Sequence, residues 1–238
     1  MAKPKILLTI AGRGGSKGVK NKNIRELCGL PLIAHTIRQA KIWSGADKII
    51  CSTDSEAIAD VARRHGAEVP FMRPPELATD SAGKQGVLRH ALKTLNSQDG
   101  PYDIVIDLDV TSPIRTPKDI QGALDTFLRQ KPDAVVSVTP CRRNPYFNML
   151  EPGPAGFMRL VKNPGGAILR RQDAPAVYDM NASIYVYDSR FLLNENMPTV
   201  LAGRTLVWVM GEYSAFDIDH EEDFQFIEFL VSKGIVTL

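Results

Sequence analysis

Long hydrophobic runs are absent from this sequence: no stretch approaches the roughly 20 apolar residues that a membrane-spanning helix needs. The apolar stretch at residues 6–10 is also too short for the core of a signal peptide, and it leads into Arg13. Cysteine is scarce, and Cys28, Cys51 and Cys141 are far apart and odd in number, which fits neither a disulfide framework nor a zinc-ligand spacing. These absences predict a cytoplasmic protein in a reducing compartment, with no membrane partner.

An excess of charge of one sign is absent too, because 29 Lys and Arg face 27 Asp and Glu for a net charge of +2. No overall field attracts nucleic acid, so no nucleic-acid partner is expected. The chain has 238 residues, of which 44% are hydrophobic, and this suits a single globular domain over residues 1–238. The basic residues cluster near the start, which indicates a small anionic ligand.

That basic cluster directly follows a buried strand predicted over residues 6–10. The loop A-G-R-G-G-S-K-G occupies residues 11–18, and its glycines let backbone N–H groups approach a phosphate. It matches neither the Walker loop, since Gly18 follows Lys17 where Ser or Thr is needed, nor the dinucleotide fingerprint, which needs glycine in place of Lys17. A solvated basic turn stays open as the alternative to a polyphosphate cradle.

Short apolar strands and amphipathic helices alternate along the first half of the chain. Strands are predicted near residues 48–52, 68–71, 102–109 and 133–138, and helices over 31–40, 54–65, 84–95 and from Thr116 onwards. Thr53 is expected to cap the second of these helices, with Glu56 completing a capping box. The alternation predicts an α/β fold: a three-layer, doubly wound, mostly parallel sheet that binds its ligand at the carboxyl ends of its strands.

The pattern changes after Thr139, where prolines recur and no helical period is visible over residues 140–180. We predict short strands and hairpins there, forming a small β-rich arm inserted into the single domain. Strands are predicted to return near 184–187 and 206–209, and a last helix runs from His220 to about Ser232.

The first loop and the K-N-I-R that follows it resemble the N-terminal signature of the sialic acid cytidylyltransferases. R-P-P-E-L-A-T-D at 73–80, L-D-V-T-S-P-I-R at 108–115, the segment 170–185 and D-I-D at 217–219 extend the resemblance over nearly the whole chain. It implies a Rossmann-like nucleotidyltransferase fold. It also implies that CTP is contacted by Ala11, Gly12, Arg13, Gly14, Ser16, Lys17, Lys22, Asn23, Arg73, Asp80, Lys84 and Asp109.

Two of these positions depart from the family pattern. Asp109 stands where the family motif has Gln, and a carboxylate can hold Mg²⁺ where an amide would donate a hydrogen bond. A strand-end Asp that caps a turn is the alternative. Lys84 falls where many members have Ser, and an added phosphate or ribose contact is expected from it.

The family's sugar-binding element resembles residues 170–185 of this chain. The sugar contacts that this implies are Thr111, Ser112, Arg171, Gln172, Asp179, Asn181, Ser183 and Tyr185. Asp179 stands where most sialic acid members have Arg, and Y-D-M-N-A-S-I-Y resembles instead the branch that activates legionaminic acid, a 5,7-diacetamido nonulosonic acid. Family members pack a comparable arm across a dimer, so a homodimer is expected in which Arg171 reaches the neighbouring site.

The D-I-D triplet resembles the family's metal site. In an extended strand Asp217 and Asp219 point to one face, so both could bind a single Mg²⁺, which Mn²⁺ could replace, with Asp109 as a further ligand. Alternatively, Asp219 only caps the last helix, with Glu222 completing a capping box. The catalytic residues implied by the resemblance are Arg13, Lys22, Asp217 and Asp219.

The resemblance as a whole implies an enzyme that joins CTP to a nine-carbon keto-acid sugar and releases pyrophosphate. Related possibilities are a CMP-N-acetylneuraminate synthetase or a nucleotidyltransferase for another sugar. A nicotinamide-dependent dehydrogenase is a distant alternative that the failed dinucleotide fingerprint disfavours. A non-catalytic nucleotide-binding regulator is disfavoured because the basic loop and the paired aspartates are both intact.

Overall fold

The fold was analysed in a computed structural model that describes residues 3–15, 18–163, 165–166 and 168–238. The strands are β1 (Ile6–Ala11), β2 (Glu26–Leu27), β3 (Leu30–Pro31), β4 (Lys48–Ser52), β5 (Ile104–Leu108), β6 (Ala134–Pro140), β7 (Leu150–Pro152), β8 (Met158–Leu160), β9 (Tyr178–Asp188) and β10 (Thr205–Val209). The α-helices are α1 (Leu32–Trp43), α2 (Glu56–His65), α3 (Lys84–Asp99), α4 (Pro117–Gln130), α5 (Ser189–Leu193) and α6 (Glu221–Ser232). In the described part of the chain, no helix is both long and apolar enough to cross a membrane.

A six-stranded sheet in the order β10-β6-β9-β5-β1-β4 forms the centre of the molecule. β1 pairs in parallel with β4 and β5, and β10 pairs in parallel with β6. The long strand β9 runs antiparallel between β5 and β6. The predicted α/β class with a mostly parallel sheet is therefore confirmed.

Helices cover both faces of this sheet. Successive side chains of a strand point to opposite faces, so each strand contributes to two separate cores. Ile6, Leu8 and Ile10 of β1 pack on one side with α1, α2, α4 and α6. Leu7 packs on the other side with α3 and α5. Burial on both faces explains why the strands are continuous apolar runs rather than alternating ones.

The helix starts differ from the sequence prediction in two places. α2 begins after Ser55, and Thr53 Oγ1 instead accepts a hydrogen bond from Ser55 N at 3.1 Å, so the predicted Thr53 cap is wrong. The cap of α6 is His220, whose N–H donates to Asp223 Oδ2 at 2.6 Å, so the alternative that Asp219 caps this helix is also wrong.

Of two further local predictions, the Thr116 cap is confirmed and the strand at 68–71 is wrong. Thr116 caps α4 as expected, in a reciprocal box with Asp119. Residues 68–71 form no strand; Glu68 makes a single isolated bridge to Ile50. Pro70 cannot donate to a ladder and interrupts the pairing there.

The arm of residues 140–180 contains the antiparallel pair β7–β8. It is tied to its own base by Cys141 N, which donates to Val177 O, and by Asn144 Nδ2, which donates to Pro175 O at 2.9 Å. Apolar side chains of this arm face solvent rather than the main core, among them Leu150, Phe157, Met158 and Leu169.

Candidate functional site

A polar cavity of about 290 Å³ opens where β1 and β5 end. Its lining brings together residues from the first loop, the end of β5 and the D-I-D triplet: Ala11, Arg13, Gly18, Lys22, Asn23, Asp109, Thr111 and Asp219. In sheets of this kind ligands bind at the carboxyl edge of the strands, so the position is the expected one. The cavity therefore brings together two cationic side chains, Arg13 and Lys22, and two carboxylates, Asp109 and Asp219.

A larger cavity of about 450 Å³ lies near the opposite end of β6 and β9. Its arginines are already engaged, since Arg190 pairs with Asp188 and Arg204 pairs with Asp133. None of the predicted site residues lines it. We therefore assign the functional site to the smaller, polar cavity.

The first loop is docked on the D-I-D triplet. Lys22 Nζ donates to Ile218 O at 2.6 Å and to Asp219 Oδ1 at 3.1 Å. A Cβ added to Gly18 would overlap the carbonyl oxygen of Asp219, so this close approach requires glycine. The contact brings the loop cations and the Asp219 carboxylate into one cavity.

Hydrogen bonds to Asn23, Ser52 and Asp54 fix the backbone of the first loop over residues 12–14. Asn23 Nδ2 donates to Arg13 O at 2.8 Å, and Gly12 N donates to Ser52 O at 3.1 Å. Gly14 N donates to Asp54 Oδ1 at 2.9 Å. Ser16 and Lys17, both predicted to contact CTP, lie outside the described residues.

Arg73 and Asp80, both predicted to contact CTP, lie near the first loop. Arg13 Nη1 pairs with Asp80 Oδ1 at 2.6 Å, which joins the first loop to the segment at 73–80. Arg73 is only 6% exposed and donates to the carbonyl and hydroxyl oxygens of Ser52 at the end of β4. The Arg73 side chain thus supports the strand end, and its contact with a nucleotide stays a prediction.

Asp109 faces the cavity with both carboxylate oxygens bonded. Oδ1 accepts from Thr111 N and Oγ1, each at 3.1 Å, and Oδ2 accepts from Lys84 Nζ at 2.7 Å. Burial alone would raise the pKa of Asp109, but the Lys84 ammonium and the Thr111 bonds outweigh it and hold the pKa below its ordinary value. Asp109 is therefore an ionised acceptor.

Asp217 and Asp219 are both exposed, as a cation site requires. Partial loss of hydration, together with the neighbouring Asp219 carboxylate, raises the pKa of Asp217. Within the described ranges no three acidic, His or Cys side chains converge on one point, and the role of Asp109 as a third metal ligand stays a prediction. A cation here would need ligand oxygens from a substrate.

The predicted sugar residues separate into two groups. Thr111 lines the cavity, whereas Ser112, Asn181, Ser183 and Tyr185 are buried. The Asn181 side chain accepts from Ser137 Oγ at 2.6 Å and donates to Ser214 O and Oγ at 3.1 Å, so its polar atoms are used inside the protein. Sugar contacts by these four residues stay predictions.

The other group lies on the arm. Arg171 Nη2 donates to Cys141 O at 3.0 Å and to Arg142 O at 2.6 Å. Asp179 Oδ1 accepts from Cys141 Sγ at 2.9 Å. Neither these two residues nor Gln172 line the cavity of their own chain, and their roles stay predictions.

Sequence reasoning missed Asp107 and Arg115. Asp107 is fully buried beside Lys84, at 2.9 Å. Arg115 is 2% exposed and donates to backbone Asp109 O and Ser183 O, which ties β5 to β9 beneath the cavity; burial lowers its pKa to about 10. The available signals were a charge inside an otherwise apolar strand and the arginine that ends the 108–115 motif.

Comparison with known proteins agrees with this geometry. A family model described as Cytidylyltransferase matches residues 8–231. The CMP-N,N'-diacetyllegionaminic acid synthase of Campylobacter jejuni is 44% identical over 230 residues, covering 95% of each chain. The post-translational flagellin modification protein B of Campylobacter coli is also 44% identical, over 231 residues, covering 96% of this chain and 95% of that one.

Solved structures extend the likeness of fold. The CMP:2-keto-3-deoxy-manno-octonic acid synthetase complexed with CTP superimposes with a TM-score of 0.71 at 16% identity, covering 97% of this chain and 99% of that one. At this identity the match speaks for the fold alone. The doubly wound nucleotidyltransferase architecture predicted from the sequence is the one observed.

Proposed function

This chain belongs to the cytidylyltransferase family, and we propose that it transfers the cytidylyl group of CTP to a nine-carbon keto-acid sugar. In this reaction the anomeric hydroxyl oxygen of the sugar bonds to the α-phosphorus of CTP. The bond from that phosphorus to the β-phosphate oxygen breaks, pyrophosphate leaves, and the hydroxyl proton passes to a base or to water. The observation that carries the proposal is the cavity that places Arg13 and Lys22 opposite Asp109 and Asp219.

Arg13 and Lys22 would stabilise the negative charge that develops on the phosphate oxygens. Phosphoryl transfer needs little covalent help from a protein, so fixed cations and correct positioning supply most of the catalysis. Lys22 is held by Ile218 O and Asp219, and Arg13 is held by Asp80. These contacts keep both cations at the cavity, where a triphosphate would meet them.

Asp217 and Asp219 fit a divalent cation, because the Asp219 carboxylate and partial burial raise the pKa of Asp217, and a bound cation would remove that cost of ionisation. We therefore propose Mg²⁺, with Mn²⁺ as a substitute, held by these two carboxylates and by substrate oxygens. When bound, the cation would neutralise phosphate charge. Activity should disappear in excess chelator and return with either metal; full activity in chelator would contradict this assignment.

Legionaminic acid is the sugar that we propose, on two grounds. A relative at 44% identity is named for CMP-N,N'-diacetyllegionaminic acid synthesis. Asp179 is exposed and, when ionised, only accepts hydrogen bonds, as the N–H of a 7-acetamido group requires. Sialic acid carries a hydroxyl at that position, which can accept as well as donate, whereas the amide N–H can only donate, so an acceptor-only carboxylate is matched more specifically by the diacetamido sugar.

We also propose that the enzyme acts in the cytoplasm as a homodimer. The exposed apolar side chains of the arm need cover, and Arg171 and Asp179 would complete the cavity of a second copy, because they do not line their own. The free cysteines fit a reducing compartment.

A pyrophosphate-release assay over a matrix of nucleotides and keto-acid sugars tests the function. We expect activity with CTP and a higher kcat/KM for the 5,7-diacetamido acid than for N-acetylneuraminic acid, with the ratio reduced in Asp179→Asn. A site built around such a hydrogen bond discriminates by several kcal/mol at most. Equal or reversed sugar preference would refute the choice of sugar, and no activity with CTP and any sugar would refute the reaction.

A further inference from the structure

We infer that Lys84 is a positioning residue that fixes the Asp109 carboxylate in the cavity, rather than a residue that contacts the phosphates or ribose of CTP. The inference rests on the proposed function, since it assigns a part in that reaction to a lysine expected to bind the nucleotide. It is carried by the cluster of Lys84, Asp107 and Asp109.

The donors of the Lys84 ammonium are directed into the protein. Nζ lies 2.7 Å from Asp109 Oδ2 and 2.9 Å from Asp107 Oδ2. The ring of Tyr185 lies below it, with its centroid 4.6 Å from Nζ. An ammonium has three N–H donors, so two carboxylates and an aromatic face account for its bonding directions.

The buried Asp107 carboxylate holds the Lys84 ammonium on its protein-facing side. It is 0% exposed, and its other oxygen accepts from Thr9 Oγ1 at 2.9 Å. If Lys84 turned towards a phosphate, it would leave the Asp107 carboxylate buried without a countercharge, which is strongly unfavourable. Lys84 is therefore held in place and is unable to follow a substrate.

Asp109 is fixed by the same cluster and by its own loop. Lys84 holds one carboxylate oxygen and Thr111 holds the other. Its backbone N donates to Ser183 O at 3.2 Å, and its backbone carbonyl accepts from Arg115. The result is a carboxylate with one orientation at a wall of the cavity that also contains Lys22 and Asp219.

A double-mutant cycle between Lys84 and Asp109 tests whether the lysine acts through the aspartate. We expect Lys84→Met and Asp109→Asn each to lower kcat/KM by about 10- to 100-fold, the usual effect of losing a supporting contact. The combined variant should be within about threefold of Asp109→Asn alone, because residues acting as one unit are not additive. Effects that multiply would overturn the proposal.

Lys93→Met is the matched control, since Lys93 lies on the same helix and pairs with Glu195 away from the cavity. It should stay within about twofold of the wild type. Lys84→Arg should recover part of the activity lost in Lys84→Met, because a guanidinium can also bond two carboxylates. A Lys84→Met enzyme as active as the Lys93→Met control would also overturn the proposal.

A charge-matched variant separates positioning from direct contact. Lys84→Met combined with Asp107→Asn removes one positive and one negative charge, so the net charge beside the cavity is unchanged. By calorimetry its Kd for CTP should stay within about threefold of the wild type while kcat stays low, as expected for loss of an interaction made only in the transition state. A Kd weakened by the same factor as kcat/KM would indicate a direct nucleotide contact and refute the positioning role.

A second cycle, read by urea unfolding of the same Lys84 and Asp109 variants, does not depend on activity. Coupling of at least about threefold in the unfolding equilibrium constant supports the contact, and additive effects refute it. Should the wild type release no pyrophosphate with any sugar, the proposed function fails while this cycle still decides whether Lys84 holds Asp109.

Discussion

The cavity and the arm of this protein differ in whether their side chains find partners within the chain. At the cavity the charged groups have partners within the chain: Lys22 pairs with Asp219 and Lys84 with Asp109. On the arm, Phe157 is 78% exposed and Leu169 is 84% exposed. A site that depends on fixed charges holds them with ion pairs inside the chain, whereas the arm exposes an apolar surface that we propose a second copy covers.

This comparison predicts two separable kinds of variant. Substitutions at the cavity should change the chemistry with little effect on association. Substitutions at exposed apolar positions of the arm should change association first, and activity only as far as a second copy completes the site.

The largest expected effect is the loss of a cavity cation. Arg13→Ala and Lys22→Ala should each lower turnover by about 100- to 1000-fold, since removal of one group that stabilises transition-state charge commonly costs ~3–4 kcal/mol. Pyrophosphate release at saturating CTP and sugar measures this. Lys20→Ala, an exposed lysine in the same loop that does not line the cavity, is the control and should keep wild-type turnover. Activity within about tenfold of wild type in both Arg13→Ala and Lys22→Ala would exclude the phosphate-cradle interpretation.

The next largest effect is expected from Gly18→Ala, which displaces the first loop without removing a charge. In Gly18→Ala the new methyl group would overlap Asp219 O and push the first loop away from the D-I-D triplet. Because a misplacement of about 1 Å can cost on the order of 100-fold in rate, kcat should fall by about that factor. Gly15→Ala is the matched control, since a Cβ there would meet nothing within 4 Å. Equal activity in the two variants would show that the docking contact is not needed.

Much of the fold could be predicted because its signals are local. The apolar run of β1 and the Thr116 cap of α4 depend on neighbours in sequence, and both were placed correctly. The direction of β9 could not be predicted, since an antiparallel strand inserted between β5 and β6 depends on where the arm returns the chain. Residues 68–71 were over-interpreted because Val69 and Phe71, on either side of Pro70, resemble a short apolar strand.

The candidate site was predictable in its members but not in its internal pairing. Sequence reasoning placed Arg13, Lys22 and Asp219 together, and they line one cavity. It expected Lys84 to face the nucleotide, whereas Lys84 lies between two carboxylates. Which partner a lysine takes depends on the geometry of a strand end and a helix start, and residue types alone do not determine that.

At the arm, an acidic residue placed among the exposed apolar side chains should break association. Phe157→Asp and Leu169→Asp should convert a dimer into a monomer at micromolar concentration, because a buried unpaired carboxylate is costly at an interface. Light scattering coupled to gel filtration measures the mass, and Ile42→Asp is the control, an exposed apolar residue on α1 that is 63% exposed. A wild-type monomer with full activity would contradict both the dimer and the proposed action of Arg171 across subunits.

The smallest expected effect is on stability in acid, through the buried His35 on α1. His35 on α1 is 2% exposed, and its Nε2 lies 2.7 Å from Leu27 O in the short strand β2. Burial lowers the pKa of His35, with smaller contributions from Arg38 and His65, so the folded protein favours the neutral ring.

Because the folded pKa of His35 lies below the unfolded one, its contribution to stability is complete above the unfolded value of about 6.5 and is lost as the pH falls below that. The melting temperature should therefore drop between about pH 7.5 and pH 5.5, and His35→Gln should remove about 2–4 °C of that drop, the shift that ~1 kcal/mol produces in a chain of this size. Differential scanning calorimetry of both proteins measures the change. An identical pH dependence in wild type and His35→Gln would mean that the buried site on α1 tolerates the charged ring and that His35 does not cause the loss of stability in acid.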